Sequence, residues 1–269
     1  MHPRVPTEGT KEQRQYLNMR PNKHTFLTLN AVGRAIALLP FLLLVPLCMN
    51  AQEDLRTVDN PYLLCEDTCQ HVHGIDVSHY QGEVFWETVG EHSCMKYVYL
   101  KCTEGGDRQD ARYSKNIDLA HRHGLKVGSY HFFRAKTPCQ VQLRNLKIQC
   151  LPGEQDLIPM IDVERDAGLD SRQLCDSLHK FLRMVEQAYH QKPLVYTYRN
   201  FYNKHFQGQL NGYPLMIAMY ADEEPVLADG RDITMWQYTQ RGRISGVHGH
   251  VDKSRFMGSH SLREIRYRH

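Results

Sequence analysis

The stretch "LIPMIDVERD", residues 157–166, decides the fold: an apolar run ends in two acids, Asp162 and Glu164, one residue apart. In an extended strand alternate side chains share a face, about 6.5 Å apart along the backbone. Both carboxylates therefore leave the strand end on the same side. Two acids at that spacing repel unless one keeps its proton or both serve a ligand. A pair of solvated loop charges is the bland alternative for any D-x-E, and the surroundings must choose between the two.

Outward from that run, apolar or β-branched segments recur at "GIDVS" (74–78), "YVYLKC" (97–102), "KVGSYHFF" (126–133), "LIPMID" (157–162), "PLVYTY" (193–198), "PLMIAMY" (214–220), "ITMWQY" (233–238) and "HVDKSRF" (250–256). Runs of this length bounded by Gly, Pro and charged residues read as strands. Helix-like segments alternate with the first five, around 84–92, 111–123, 139–150 and 170–190, with a weaker one at 200–206. In 170–190, Leu174, Leu178, Phe181, Leu182 and Val185 repeat at helical spacing, and Ser171 is the expected N-cap. After the fifth strand the spacers become short and turn-rich, so the last strands need not be parallel. This pattern predicts an α/β fold, a closed barrel related to the TIM type. An open doubly wound sheet is the alternative, but no Gly-rich phosphate loop follows the first strand, which argues against nucleotide binding.

The formal net charge is +3 over 269 residues, with both signs mixed along most of the chain. No basic stripe is interleaved with aromatics, so a nucleic-acid surface is not expected. The 15 Tyr, 9 Phe and 2 Trp suit either a large core or a cleft that stacks on sugar rings.

The amino-terminal part differs in kind. "AIALLPFLLLVPLC" runs apolar from Ala35 to Cys48 behind Arg20, Lys23 and Arg34. It is short for a bilayer span and carries Pro40 and Pro46, which fits the apolar core of a secretory signal. "MNAQ" offers a cut after Ala51, and Met19 is an alternative start. The expected organisation is a signal peptide or amino-terminal anchor over 1–51, a linker over 52–73, a barrel over 74–258 and a tail over 259–269. Export is expected, whether secreted, periplasmic or envelope-anchored, and a membrane tether through this segment is the alternative to cleavage. Leu47 is large for the residue before a lipidated Cys48. Seven cysteines follow Cys48, an odd number that cannot all pair within one chain. Cys65 with Cys69, and Cys139 with Cys150, are candidate disulfides in an oxidising compartment.

In such a barrel, catalytic groups collect at the carboxyl ends of the strands. The acids there are Asp76, Glu104, Asp162, Glu164 and Asp252, and in a closed barrel the first and last strands adjoin, which brings Asp76 beside Asp252. A ring of acids around one cavity is costly unless used. Two carboxyls, one protonated and one ionised, are what glycoside cleavage requires. Tyr130, Phe132, Tyr198, Tyr220 and Trp236 at strand ends are candidate platforms for sugar rings, with plain core packing the alternative for each.

At these residues the sequence resembles the glycoside hydrolase family 25 lysozymes. "GIDVSHYQG", "KCTEGG", "GLKVGSYHFFR", "LIPMIDVE", "KPLVYTY", "YPLMIAMY", "WQYTQRGRISGV" and "HVDKSRF" occur in the family's order, from Gly74 to Phe256. The resemblance implies a barrel of five βα units followed by three largely helix-free strands. It implies N-acetylmuramidase activity on peptidoglycan, cutting the β-1,4 bond between N-acetylmuramic acid and N-acetylglucosamine. By position, Glu164 is then the general acid, and Asp162 assists attack by the substrate's own N-acetyl group. Asp76 and Asp252 match acids near the reaction centre, and Tyr130, Tyr196, Tyr220 and Gln237 match positions lining the cleft. No metal or cofactor is implied, the partner is a peptidoglycan glycan strand, and a monomer is expected. Departures are Cys102 in place of a common Ala, Met216 in place of a common Trp, and Lys253 and Ser254 in place of a hydrophobic residue and Asn; the Met216 change suggests one missing sugar-stacking surface.

Two rival readings stand beside this one. A non-catalytic glycan-binding barrel would use the same cleft, but loss of the acids would be its mark and all four are present. A metal-dependent hydrolase would use the H-x-H of His71 and His73, although both precede the first strand rather than follow it.

Overall fold

The computed structural model describes residues 71–269. The leader expected over 1–51, nearly all of the linker over 52–73 and the Cys65–Cys69 pairing lie outside the described residues.

Strands β1 (His73–Val77), β2 (Met95–Glu104), β3 (Arg108–Gln109), β4 (Lys126–Phe132), β5 (Met160–Asp162), β6 (Leu194–Tyr198), β7 (Leu215–Ala218), β8 (Met235–Gly242) and β9 (Val251–Phe256) form one sheet. Its order is β1-β9-β8-β7-β6-β5-β4-β2-β3, and an additional β1–β2 pairing closes it into an eight-stranded barrel, with β3 a short hairpin partner of β2. Helices α1 (Trp86–Gly90), α2 (Tyr113–Arg122), α3 (Cys139–Gln149), α4 (Ser171–Tyr189) and α5 (Arg199–His205) follow β1, β3, β4, β5 and β6. Pairing is parallel from β1 through β8 around the barrel, and β9 runs antiparallel to both its neighbours. The expected closed barrel, with a last strand free to reverse, is what forms.

Aromatic rings on β2 fill the barrel floor, and neighbouring strands make room with glycine. A Cβ on Gly74 would sit 2.1 Å from the Tyr97 ring, and one on Gly128 would sit 2.4 Å from the Tyr99 ring. Ser254, one of the departures, binds the Tyr97 hydroxyl at 3.0 Å inside this floor. Helix α4 buries Leu174, Leu178, Phe181, Leu182 and Val185, the stripe expected from its spacing.

Several expectations need correction. The N-cap of α4 is Asp170, not Ser171: the Asp170 carboxylate accepts from the Gln173 amide at 2.8 Å, and Gln173 Oε1 accepts from the Asp170 amide at 3.2 Å. Strand β5 begins at Met160 rather than Leu157, because the first part of that run pairs elsewhere: the Ile158 amide donates to Ile265 O at 2.8 Å, and Leu157 bridges Arg266. The segment 259–269 is accordingly no free tail. Ile265 is fully buried, and the Tyr267 hydroxyl donates to Tyr189 O at 3.2 Å. Cys139 and Cys150 are buried free thiols rather than a disulfide, as are Cys102 and Cys175, whereas Cys94 is disulfide-bonded. Among the described residues, no helix is long and apolar enough to cross a membrane.

Candidate active site

Strand parity assembles the site. Asp76 and Gly74 share the inner face of β1, and Asp76 lies directly opposite Asp252 in the antiparallel β1–β9 pair. Because β9 is reversed, its first residues reach the same rim as the last residues of the parallel strands. On the far side Asp162 closes β5, in register with Phe132 on β4 and Tyr196 on β6. Glu164 follows two residues later on the same face, half-buried, with the Tyr198 hydroxyl hydrogen-bonded to its carboxylate.

The four carboxyls feel one another. Burial, then the charge of Asp252, pushes Asp76 up to about 8, against a smaller opposing pull from its Gln237 hydrogen bond. Burial, then Glu164, pushes Asp252 up to about 7. Asp162 stands well above the usual carboxylate range through burial and then the neighbouring Glu164. Burial also raises Glu164, opposed by Arg165, Lys101 and the Tyr198 bond. Oδ1 of Asp76 and Oδ1 of Asp162 are buried without a hydrogen-bond partner in the protein.

Gln237 ties the opposite wall together. Its Nε2 donates to Asp76 Oδ2 at 2.8 Å, while Oε1 accepts from the Tyr196 and Tyr220 hydroxyls, each at 2.9 Å. Tyr130 lies among the acids: burial and then Asp162, Asp76 and Asp252 all raise its hydroxyl pKa. The structure thus brings Asp76, Asp162, Glu164, Asp252, Tyr130, Tyr196, Tyr220 and Gln237 to one end of the barrel. A cleft of about 620 Å³ opens beside them, lined by Tyr198, Arg199, Phe201, Met219 and Tyr220 among others.

The family model described as "Glycosyl hydrolases family 25" matches residues 75–247, which spans the acids from Asp76 to Glu164 and the strands up to β8. This chain belongs to glycosyl hydrolase family 25. The protein YegX of Escherichia coli (strain K12), itself uncharacterized, is 33% identical over 193 residues, covering 70% of each chain. Lysozyme M1 of Streptomyces globisporus is 30% identical over 203 residues, covering 70% of this chain and 68% of its own. A family 25 glycosyl hydrolase from Bacillus anthracis superimposes with a TM-score of 0.65 at 30% identity, over 70% of this chain and 89% of that one. The family is the one that the ordered motifs from Gly74 to Phe256 resemble, and glycoside hydrolysis is the chemistry that paired carboxyls suit.

Other strand-end candidates of this family 25 enzyme separate from the acid group. Burial would raise Glu104, but hydrogen bonds from Lys101 and Arg134 outweigh it and bring Glu104 down to about 2. It is a fixed anion, not a proton donor. Trp236 is no sugar platform: it is 1% exposed, on the opposite face of β8 from Gln237, and its Nε1 donates to Met219 O at 2.7 Å. Met216 is likewise fully buried, so its side chain offers no exposed stacking surface. Lys253 is buried too. His73 faces away from Asp76, with Nδ1 3.0 Å from the Tyr238 hydroxyl. Among the described residues, no three His, Cys, Asp or Glu side chains are grouped to hold a metal.

The sequence reading missed two contacts. Tyr198, a candidate sugar platform by its place at a strand end, also interacts with the Glu164 carboxylate and favours its ionised form. Lys101, whose phase with Tyr97 and Tyr99 places it on the inner face of β2, donates to Glu104 and lowers both Asp162 and Glu164.

Proposed function

We infer that the protein is a lysozyme, an N-acetylmuramidase that hydrolyses the β-1,4 bond between N-acetylmuramic acid and N-acetylglucosamine in peptidoglycan. One observation carries the reading: four carboxyls converge at one barrel rim, and each is raised above its ordinary range. The name of the relative from Streptomyces globisporus supports the substrate class.

Glu164 acts as general acid. It is the more accessible member of the pair, and burial raises its carboxyl above the ordinary range, which favours the protonated form that a general acid needs. It delivers that proton to the glycosidic oxygen as the bond to the anomeric carbon breaks. The substrate's N-acetyl oxygen attacks that carbon, forming an oxazolinium ion, and Asp162 orients the amide and balances the developing positive charge. Water then opens the ring, with Glu164 taking a proton from it, and configuration is retained. Asp76 and Asp252 hold sugar hydroxyls and keep the proton count of the cluster high. Tyr130, Tyr196, Tyr220 and Gln237 shape the wall against which the sugar lies.

The substrate places the enzyme outside the cytoplasmic membrane. The apolar run Ala35–Cys48, read as a signal or tether, and the disulfide at Cys94 support export. We expect a monomer acting on glycan strands. Mass analysis of fragments released from purified cell wall tests the reading. New reducing ends on muramic acid are expected; new reducing ends on glucosamine would overturn it.

A further inference from the structure

A basic ledge stands beside the acids, built with more care than a solvated charge cluster needs. Three cations meet the single carboxylate of Glu104: Lys101 Nζ at 2.8 Å, Arg108 Nη1 at 3.0 Å, and Arg134 through Nε at 3.1 Å and through Nη2. One negative charge against three positive ones leaves the ledge with a surplus of two. Phe132 forms its floor, with Lys101 Nζ 5.3 Å and Arg134 Cζ 4.6 Å from the ring centroid.

Two buried amides of α3, one helical turn apart, hold the ledge rigid from behind. Asn145 Nδ2 donates to the carbonyls of Glu104, Gly105 and Arg108 at 3.3, 3.0 and 3.1 Å, fixing the turn between β2 and β3. Gln142 Oε1 accepts from the Arg134 amide at 2.9 Å, and its Nε2 donates to Arg134 O at 3.0 Å and Thr137 O at 2.9 Å. Gly105, at φ +53°, lets the Arg134 stem lie across the turn, since a Cβ there would meet Arg134 Cγ at 3.1 Å. Arg134 Nη1, Arg108 Nη2 and the remaining Lys101 protons are not used by these bonds. A guanidinium fixed in this way binds a carboxylate with little ordering cost.

The ledge's position selects its ligand. Phe132 is in register with Asp162 on the next strand and with Glu104, the anion that gathers the ledge, on the strand beyond, which puts Glu104 about 10 Å from Asp162 at ordinary strand spacing. A muramic acid ring over the acids carries its peptide on a lactyl ether, and that arm spans such a distance. We propose that the Lys101–Arg108–Arg134 ledge is a carboxylate subsite that reads an acidic residue of the stem peptide borne by the muramic acid sugar. The subsite rests on the muramidase reading, and binding tests it apart from turnover.

The probes are N-acetylmuramyl-L-Ala-D-Glu and the same compound with both carboxyls converted to carboxamides, titrated by calorimetry into Glu164→Gln protein. The acidic probe is expected to bind about tenfold more tightly, the worth of one charge-assisted pair. Adding Arg134→Ala should remove that preference, and Arg108→Ala, at an exposed position, should reduce it without risk to folding. Equal binding of the two probes to the Glu164→Gln protein would overturn the subsite, as would a preference that survives both ledge substitutions. Failure to cleave peptidoglycan would instead strike the muramidase reading, and a carboxylate preference would still be measurable beside it.

Discussion

Asp76 and Asp252 face each other directly across the antiparallel β1–β9 pair, where opposed residues have their side chains on one face. Like charges in that position destabilise the sheet. The fold tolerates them because burial raises both carboxyls, Asp76 to about 8 and Asp252 to about 7, so the pair is largely protonated at mildly acid pH.

Stability should therefore fall as pH rises. Asp76 starts from an ordinary value of 3.8, so its contribution is whole below that pH and is lost as pH climbs towards about 8. Asp76→Asn keeps an acceptor for Gln237 and removes the charge. It should stabilise the protein at pH 8 by about 1–3 kcal/mol and by much less at pH 5, as read by urea denaturation at the two pH values. Activity should drop at both.

Tyr198→Phe removes a hydrogen bond that favours ionised Glu164. The carboxyl is raised further, so the alkaline limb of the pH–rate profile, where the general acid loses its proton, should move to higher pH. The loss in kcat should stay below about tenfold, since one hydrogen bond contributes about 1 kcal/mol. An unmoved limb would separate Tyr198 from the acid.

Gly74→Ala places a methyl group against the buried Tyr97 ring. The expected cost is about 1–3 kcal/mol or more, the usual range for overpacking. Tyr97→Leu alone should cost stability too, while the double variant should be more stable than the sum of the single effects implies. Thermal unfolding of the four proteins decides it.

Glu104→Gln leaves Lys101, Arg108 and Arg134 without their shared anion. Because Glu104 is depressed to about 2 from an ordinary 4.5, its contribution is present above 4.5 and disappears as pH falls through about 2. The variant should be destabilised by about 2–4 kcal/mol at pH 7 and progressively less below pH 4.5, by chemical denaturation across that range.

The barrel was legible because each strand is a short apolar run whose partner lies next along the chain, and helix α4 because its stripe is regular. The acid cluster was legible for the same reason: Asp162 and Glu164 share a face by parity, and closure alone brings Asp76 to Asp252. What escaped the reading depends on contacts distant in sequence. Leu157 and Ile158 look like strand β5 until Ile265 competes for their backbone. Cys139 and Cys150 bracket α3, but spacing along a chain says nothing of thiol geometry. Trp236 sits at a strand end like Tyr220, yet one residue of phase turns it outward. Glu104 resembles the other acids in sequence, and what sets it apart is Arg134, thirty residues away, which donates to its carboxylate.

The role proposed for Glu164 is to supply the proton for bond cleavage. It is tested most directly by the turnover number of Glu164→Gln on purified peptidoglycan, measured beside its affinity for the insoluble glycan. The expected result is a loss of turnover by several orders of magnitude with affinity within a few-fold of the parent enzyme. Turnover within tenfold of the parent enzyme would contradict it.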